Sequence, residues 1–417
     1  MTITQLRTPI LDGGIKSINF FNGRLLSAED LSQEQSANKQ AHHQLGQSLG
    51  DGVAYGLEVK PNSSQSTPQA PVVTINAGLA LDRQGQTLQL TQDTDVALVR
   101  PMTTGTTTVT ALFADCQPLQ QGPYVVGKGV YLLTIQAASG TEGKAPVSGL
   151  GNIDAACNAK YQIDGVQFRL IQIPITAAEF VAAGDRLRNY MAYRCLGIND
   201  NKVTGFFANP FGPVMSSYGL LDSLRPDCVQ DDEVPLALIY WTVANGLEFV
   251  DLWSVRRRVT APSPDARWPL LTADRRGAEA EALFLQFEAQ IEEIRARESD
   301  LTSLRAIDRF VALPPVGLLP LGGAGTSVGI TFEKFFEDLP YRTPAYIAGR
   351  QIEAIVQEAL RYPPIRMAQR EAVMLYRIIE APTPAPCVLF VSAYLPLFGE
   401  PRFDIAHWDF SNFPREA

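Results

Sequence analysis

The period of the apolar residues changes once along the chain, and that change limits what it can fold into. Before the segment Ala261-Pro262-Ser263-Pro264-Asp265-Ala266, short β-prone runs alternate with polar turns. Val72-Val73-Thr74-Ile75, Leu79-Ala80-Leu81, Thr87-Leu88-Gln89-Leu90 and Val96-Ala97-Leu98-Val99 are separated by Asn-Ala-Gly, Asp-Arg-Gln-Gly and Thr-Gln-Asp turns, the spacing of an antiparallel sheet. Thr106 to Phe113, Val130 to Gln136 and Gln167 to Ile175 continue it. A helix is expected over Ala177 to Tyr193, and Leu236 to Thr242 with Leu247 to Val255 reads as a hairpin around Ala244-Asn245-Gly246, Asn-Gly being a favoured tight-turn pair.

Beyond the Pro-rich segment, which is the expected domain boundary, the spacing is helical. Ala280, Phe284, Phe287, Ile291, Ile294 and Leu301 recur at intervals of four, three, four, three and seven, an a/d seam. Such a seam either packs a long amphipathic helix on its own domain or meets another subunit as a coiled coil. The remainder mixes the extended Leu313-Pro314-Pro315 and Tyr362-Pro363-Pro364 with a helix near Tyr346 to Arg361 and strands at Ala372 to Ile379 and Val388 to Tyr394. The expected class is α+β: an antiparallel β-rich N-terminal region with a capped N-terminal helix, and a smaller α+β C-terminal domain beginning with the long amphipathic helix. The expected divisions are 1–60, 61–262 and 263–417.

The capped helix is unusual in composition. Ser27 followed three residues on by Asp30 fits a capping box, so the helix starts at Ala28. Leu31, Leu45 and Leu49 are its only large apolar residues before Asp51, and Gln33, Glu34, Gln35, Asn38, Lys39, Gln40, His42, His43 and Gln44 fill most of the rest. A helix this polar buries little surface of its own, so it bridges solvent or is held by polar contacts to something else. It is expected to be an assembly element.

The flanking residues carry a resemblance. Phe20-Phe21-Asn22-Gly23-Arg24-Leu25-Leu26-Ser27-Ala28-Glu29-Asp30-Leu31, then Gly52-Val53-Ala54-Tyr55-Gly56-Leu57-Glu58-Val59, resemble the opening of baseplate-associated proteins of phage tail-like contractile injection systems. Val234-Pro235-Leu236-Ala237-Leu238-Ile239 through Phe249-Val250-Asp251 to Trp253-Ser254-Val255-Arg256-Arg257-Arg258 is similar to a second stretch of that family, and Leu313-Pro314-Pro315-Val316-Gly317-Leu318-Leu319-Pro320 to a third. The stretch from about Gly140 to Asp232 is not covered. The resemblance implies a structural role in such a particle, with other baseplate, tail-tube or sheath proteins as partners and self-association as a further expectation. Interface candidates from the first helix and its flank are Phe20, Phe21, Arg24, Glu29, Asp30, Gln35 and His42; from the seam they are Phe284, Phe287, Ile291 and Ile294.

Bulk properties narrow the alternatives. The charge is 35 minus 44, or −9, with no long basic block, so nucleic-acid backbone binding is not expected. Arg256-Arg257-Arg258 reads as the end of a strand. Cys116, Cys157, Cys195, Cys228 and Cys387 are an odd, widely spaced set, neither a disulfide framework nor a zinc site. Arg7, Asp12 and Lys16 stand where a signal peptide would be apolar, and no run approaches a bilayer span. Cytoplasmic synthesis, residence in an assembled particle and no direct membrane insertion are the expectations.

Motifs for chemistry fail on context. Gly122 to Gly129 has phosphate-loop spacing, but Gly129 replaces the hydroxyl residue and a strand follows. Gly325-Thr326-Ser327-Val328-Gly329 matches a nucleophile elbow, with Asp338 and His407 in triad order, yet Leu319-Pro320-Leu321-Gly322-Gly323-Ala324 precedes it and β-prone Ile330-Thr331-Phe332 follows, where an elbow needs strand and helix. His42 and His43 are adjacent on a helix and diverge by about 100°. Asp231-Asp232-Glu233 reads as a solvated turn. No catalytic residue, metal or cofactor is therefore expected. The chain reads as a non-catalytic structural component; the alternatives are a serine hydrolase using Ser327 and His407, and an adhesion or carbohydrate-binding module using Trp241, Trp253 and Trp408 as stacking surfaces.

Overall fold

The computed structural model describes residues 14–98, 129–144, 159–198, 218–225, 227–242, 244–260, 275–322, 329–380 and 387–393, with positions 200, 203, 209 and 211. After α1 (Ala28–Leu49), six short strands follow: β1 (Gly52–Gly56), β2 (Val59–Pro61), β3 (Val72–Ile75), β4 (Gly78–Leu81), β5 (Thr87–Leu90) and β6 (Thr94–Ala97). They form two antiparallel sheets, ordered β1-β4-β5 and β2-β3-β6. β6 sits two residues before the expected Val96–Val99, because pairing of Thr94 with Ile75 sets its register. The expected strand Thr106 to Phe113 lies outside the described residues.

A third, antiparallel sheet is built from β7 (Gly129–Lys144), β8 (Ala159–Gln172), β9 (Glu233–Thr242) and β10 (Gly246–Asp251), ordered β10-β9-β7-β8. Side chains alternate between its faces. Leu133 and Ile135 pack with Val53, Val73 and Leu88 of the small sheets, whereas Val130 and Leu132 pack with Leu187 and Met191. Those last two belong to α3 (Leu187–Leu196), which follows α2 (Ala177–Ala183). A single helix was expected there. Gly184, at φ 51°, leaves the helical region and splits it around a 3-10 turn. β10 also stops at Asp251, short of Val255, because the Asp251 carboxylate accepts the Ser254 N–H at 3.0 Å and its hydroxyl at 2.8 Å and turns the chain.

The C-terminal part has a short antiparallel pair, β11 (Ala312–Leu313) with β14 (Ile365–Arg366), and joins the helix Arg275–Arg297 to a sheet ordered β12-β16-β15-β13: β12 (Val316–Pro320), β13 (Ala345–Ile347), β15 (Val373–Ile378) and β16 (Cys387–Ser392). Only the β13–β15 pair in this sheet is parallel. Tyr346 was expected in a helix. It lies instead in β13, paired with Arg377 of β15, and the helix begins at Ile352 after a 3-10 turn. The class is α+β.

The Pro-rich segment 261–266 lies outside the described residues, but the parts on either side of it share a core. Tyr193, Leu196 and Ile198 are buried with Ala282, Leu283 and Ala312. Polar groups cross the same junction. Asn189 accepts the Val311 N–H at 2.8 Å, the Tyr193 hydroxyl donates to the Leu313 carbonyl at 3.1 Å, and Arg188 links Asp251 at 2.8 Å to Glu293 of the long helix.

One carboxylate on that helix makes the fold sensitive to pH. Burial pushes the Glu288 carboxyl from 4.5 up to about 7, against the opposing pull of the Leu318 N–H that donates to it at 2.8 Å. Between those values the folded chain keeps a proton that the unfolded chain has lost, so stability falls as pH rises through the window and levels off above it. At ~1.4 kcal/mol for each pKa unit, the full window is worth a little over about 3 kcal/mol, of which roughly 2 to 3 kcal/mol is lost between pH 5 and pH 8. Urea unfolding at about pH 5 and about pH 8 should show this difference in the wild type and a smaller one in Glu288→Gln. Equal differences in the two chains would contradict it.

Candidate assembly surface

Polar ties fold the segment before α1 back along its first turns. The Arg24 guanidinium donates to the Asn19 carbonyl at 2.8 Å and to Asp30 Oδ1 at 2.7 Å. Asp30 Oδ2 accepts the Ser27 N–H at 3.0 Å, and the Asp30 N–H donates to Ser27 Oγ at 3.1 Å, which completes the expected capping box. The Ser27 N–H above all, with its hydroxyl and Arg24, holds the Asp30 carboxyl below its ordinary value. Glu34 accepts the Ile18 N–H at 3.0 Å.

What these ties display is apolar. Phe20 is 57% exposed, Phe21 64% and Leu25 92%, with Leu26 and Leu31 also outward. An isolated apolar side chain at a surface is ordinary, but here several of them stand exposed together on one short, internally braced segment. Glu29, Gln35 and His42 are exposed along the helix. Leu25 and Leu26 lie within the resembling stretch but were not among the expected interface residues; their signal was large apolar side chains beside a capping box.

α1 itself rests on little. Its buried residues are Ala37 and Gly46, and a side chain at Gly46 would meet the Gly85 carbonyl oxygen at 2.1 Å. Two glycines therefore let the helix backbone touch the β4–β5 turn, where Gly85 takes φ 79°. Lys39 adds a 2.9 Å ion pair to Asp164 of β8, exposed and so of small energetic value.

The seam candidates lie elsewhere. Phe287, Ile291 and Ile294 are buried in the C-terminal core, and Phe284 packs half-buried beside the cluster of Val316 and Ile347. Of the two readings open for the seam, the structure takes the intramolecular one: Phe310, Phe335 and Phe390 occupy the places a second helix would take. The two sets of candidates are not brought together.

The remaining motifs resolve into structural roles where they are described. Arg256 donates to the Leu57 and Gly56 carbonyls at 3.0 and 2.6 Å, clamping a turn in which Leu57 has φ 55°. The Val53 N–H donates to the Arg257 carbonyl at 2.8 Å, and Arg258 pairs with Glu281 at 2.7 Å. The basic run is thus spent on carbonyls and one carboxylate, and it joins the first resembling stretch to the second. Ser327 and His407 lie outside the described residues. Asp338 receives Arg305 in a two-pronged pair, both oxygens at 2.7 Å, and Phe332 opens a one-turn helix where a β-prone run was expected. Gly122 to Lys128 also lies outside; Gly129 opens β7. In the acidic turn Glu233 is buried and pairs with Arg169, and burial pushes its carboxyl up. Trp241 is a core residue whose indole N–H donates to the Pro68 carbonyl at 2.8 Å, not a stacking surface; Trp408 lies outside.

Among the described residues no cluster of three or more His, Cys, Asp or Glu could hold a metal ion, and no helix is long and apolar enough to cross a membrane. No protein-family model and no curated protein matches the chain. Among solved structures, the crystal structure of TssK aligns over 91% of this chain and 92% of its own at 12% identity, with a TM-score of 0.22. At that score the two backbones superpose poorly.

Proposed function

We propose that this chain is a non-catalytic structural component of a phage tail-like contractile injection system, attached to the baseplate in several copies. The observation that carries the reading is the braced N-terminal segment: Arg24, Ser27 and Asp30 hold a turn whose Phe20, Phe21 and Leu25 face outward. A turn stiffened from beneath presents those rings at low entropic cost to a partner. The three resembling stretches supply the kind of partner, namely the baseplate, tail-tube or sheath proteins of the particle. Two of those stretches are joined by the Arg256 clamp, so they belong to one structural unit. The chain is made in the cytoplasm and works within the assembled particle.

Electron microscopy of material that copurifies with the tagged chain is expected to show tail-like particles bearing the tag at one end. Recovery of the chain alone from cells that are assembling such particles would sink the proposal. The hydrolase alternative has its own test. A fluorophosphonate probe should leave Ser327 unlabelled; labelling that His407→Ala abolishes would replace this reading with an enzymatic one.

A further inference from the structure

Along α1, Leu31, Gln35, Asn38, His42, Leu45 and Leu49 recur at intervals of four, three, four, three and four. On a helix this spacing forms one stripe that keeps facing the same neighbour. All six are exposed, the leucines at 53%, 64% and 58%. The buried Ala37 and Gly46 lie off the stripe.

We propose that the stripe is the seam of a parallel, in-register helix pair formed with α1 of a second copy of this chain. Two features select that occupant. The first is charge. In a parallel pair, the residue preceding one seam position lies beside the residue five further on in the partner. That rule sets Glu34 of each copy beside Lys39 of the other. An antiparallel pair would bring Glu34 against uncharged flanks such as Ala41. Lys39 reaches Asp164 of its own chain at 2.9 Å through an exposed pair, which leaves it two further N–H donors.

The second feature is the middle of the stripe. Gln35, Asn38 and His42 can each hydrogen-bond their own counterpart across an in-register seam. A slipped register, or an unrelated apolar helix, would set them against apolar side chains and leave them unsatisfied. The inference concerns the isolated chain and stands or falls separately from the particle.

The test is disulfide trapping in the full chain. Leu45→Cys is expected to form a covalent dimer on mild oxidation, whereas Gln44→Cys, one residue off the seam, and the wild type with its native cysteines should not. Glu34→Lys in the Leu45→Cys background should lower the dimer yield about tenfold, the equivalent of ~1.4 kcal/mol, and adding Lys39→Glu should restore it. Positions 39, 44 and 45 are exposed, while Glu34 is half-buried and its Oε2 accepts the Ile18 N–H of its own chain at 3.0 Å; unchanged melting curves will show that the fold is intact. Equal trapping at positions 44 and 45, no trapping at 45, or a charge reversal that Lys39→Glu fails to rescue would overturn the proposal.

Discussion

Phe287→Ala is expected to destabilise the C-terminal part by about 3 to 5 kcal/mol, the range for emptying a large aromatic site in a packed core. Phe287 has no exposed surface. Its ring lies 5.2 Å from those of Phe310 and Phe390, and 6.4 Å from Phe335. Beneath it Gly317 leaves room that a side chain would close, since a methyl there would come within 3.0 Å of the Phe287 ring. The neighbours are held by the sheet and the long helix, so they can collapse into the gap only in part. Urea unfolding should show the midpoint falling with little change in slope. A loss below about 1 kcal/mol would mean that the site relaxes freely and that this core is not close-packed as described.

Arg188→Ala should cost a similar amount for a different reason. Asp251 is fully buried and accepts Arg188 Nε at 2.8 Å, the Ser254 hydroxyl at 2.8 Å and Gln286 Nε2 at 3.2 Å. Removing Arg188 strands that carboxylate and loosens Glu293, and breaking one side of a buried pair typically costs about 3 to 5 kcal/mol. The double variant Arg188→Met with Asp251→Asn removes both charges and should recover a large part of the loss. If the double variant is as unstable as the single, the cost lies in packing and not in an uncompensated charge.

Much of the architecture was legible where sequence pattern and local chemistry agree. The Ser27–Asp30 capping box, the strands β3 to β5, the Asn245-Gly246 turn and the seam of Phe287, Ile291 and Ile294 each carry their own signal, whether a cap, an alternation or a 3–4 spacing. One miss had a signal: Ala159, Tyr161 and Ile163 alternate with Lys160, Gln162 and Asp164, a period of two that the expected strand from Gln167 did not take in, and these residues pair with 138–144 of β7. Other misses fall where tertiary pairing decides. Tyr346 reads as helical until the edge of β15 captures it. At the candidate surface the helix was legible and its seam was not. Only the ends of the stripe are leucine, and the polar Gln35, Asn38 and His42 between them conceal the period. What covers the Phe287 seam could be seen only once Phe310, Phe335 and Phe390 were in place.

The assembly surface proposed for residues 18–49 is tested most directly by amide hydrogen exchange across α1, measured on the purified chain diluted until it is monomeric and on the isolated particle. α1 is seated on its own chain at little more than Ala37, Gly46 and the Lys39–Asp164 pair, so it should open readily when dilute and be slowed at least about tenfold in the particle. Equal exchange rates in the two states would contradict the account.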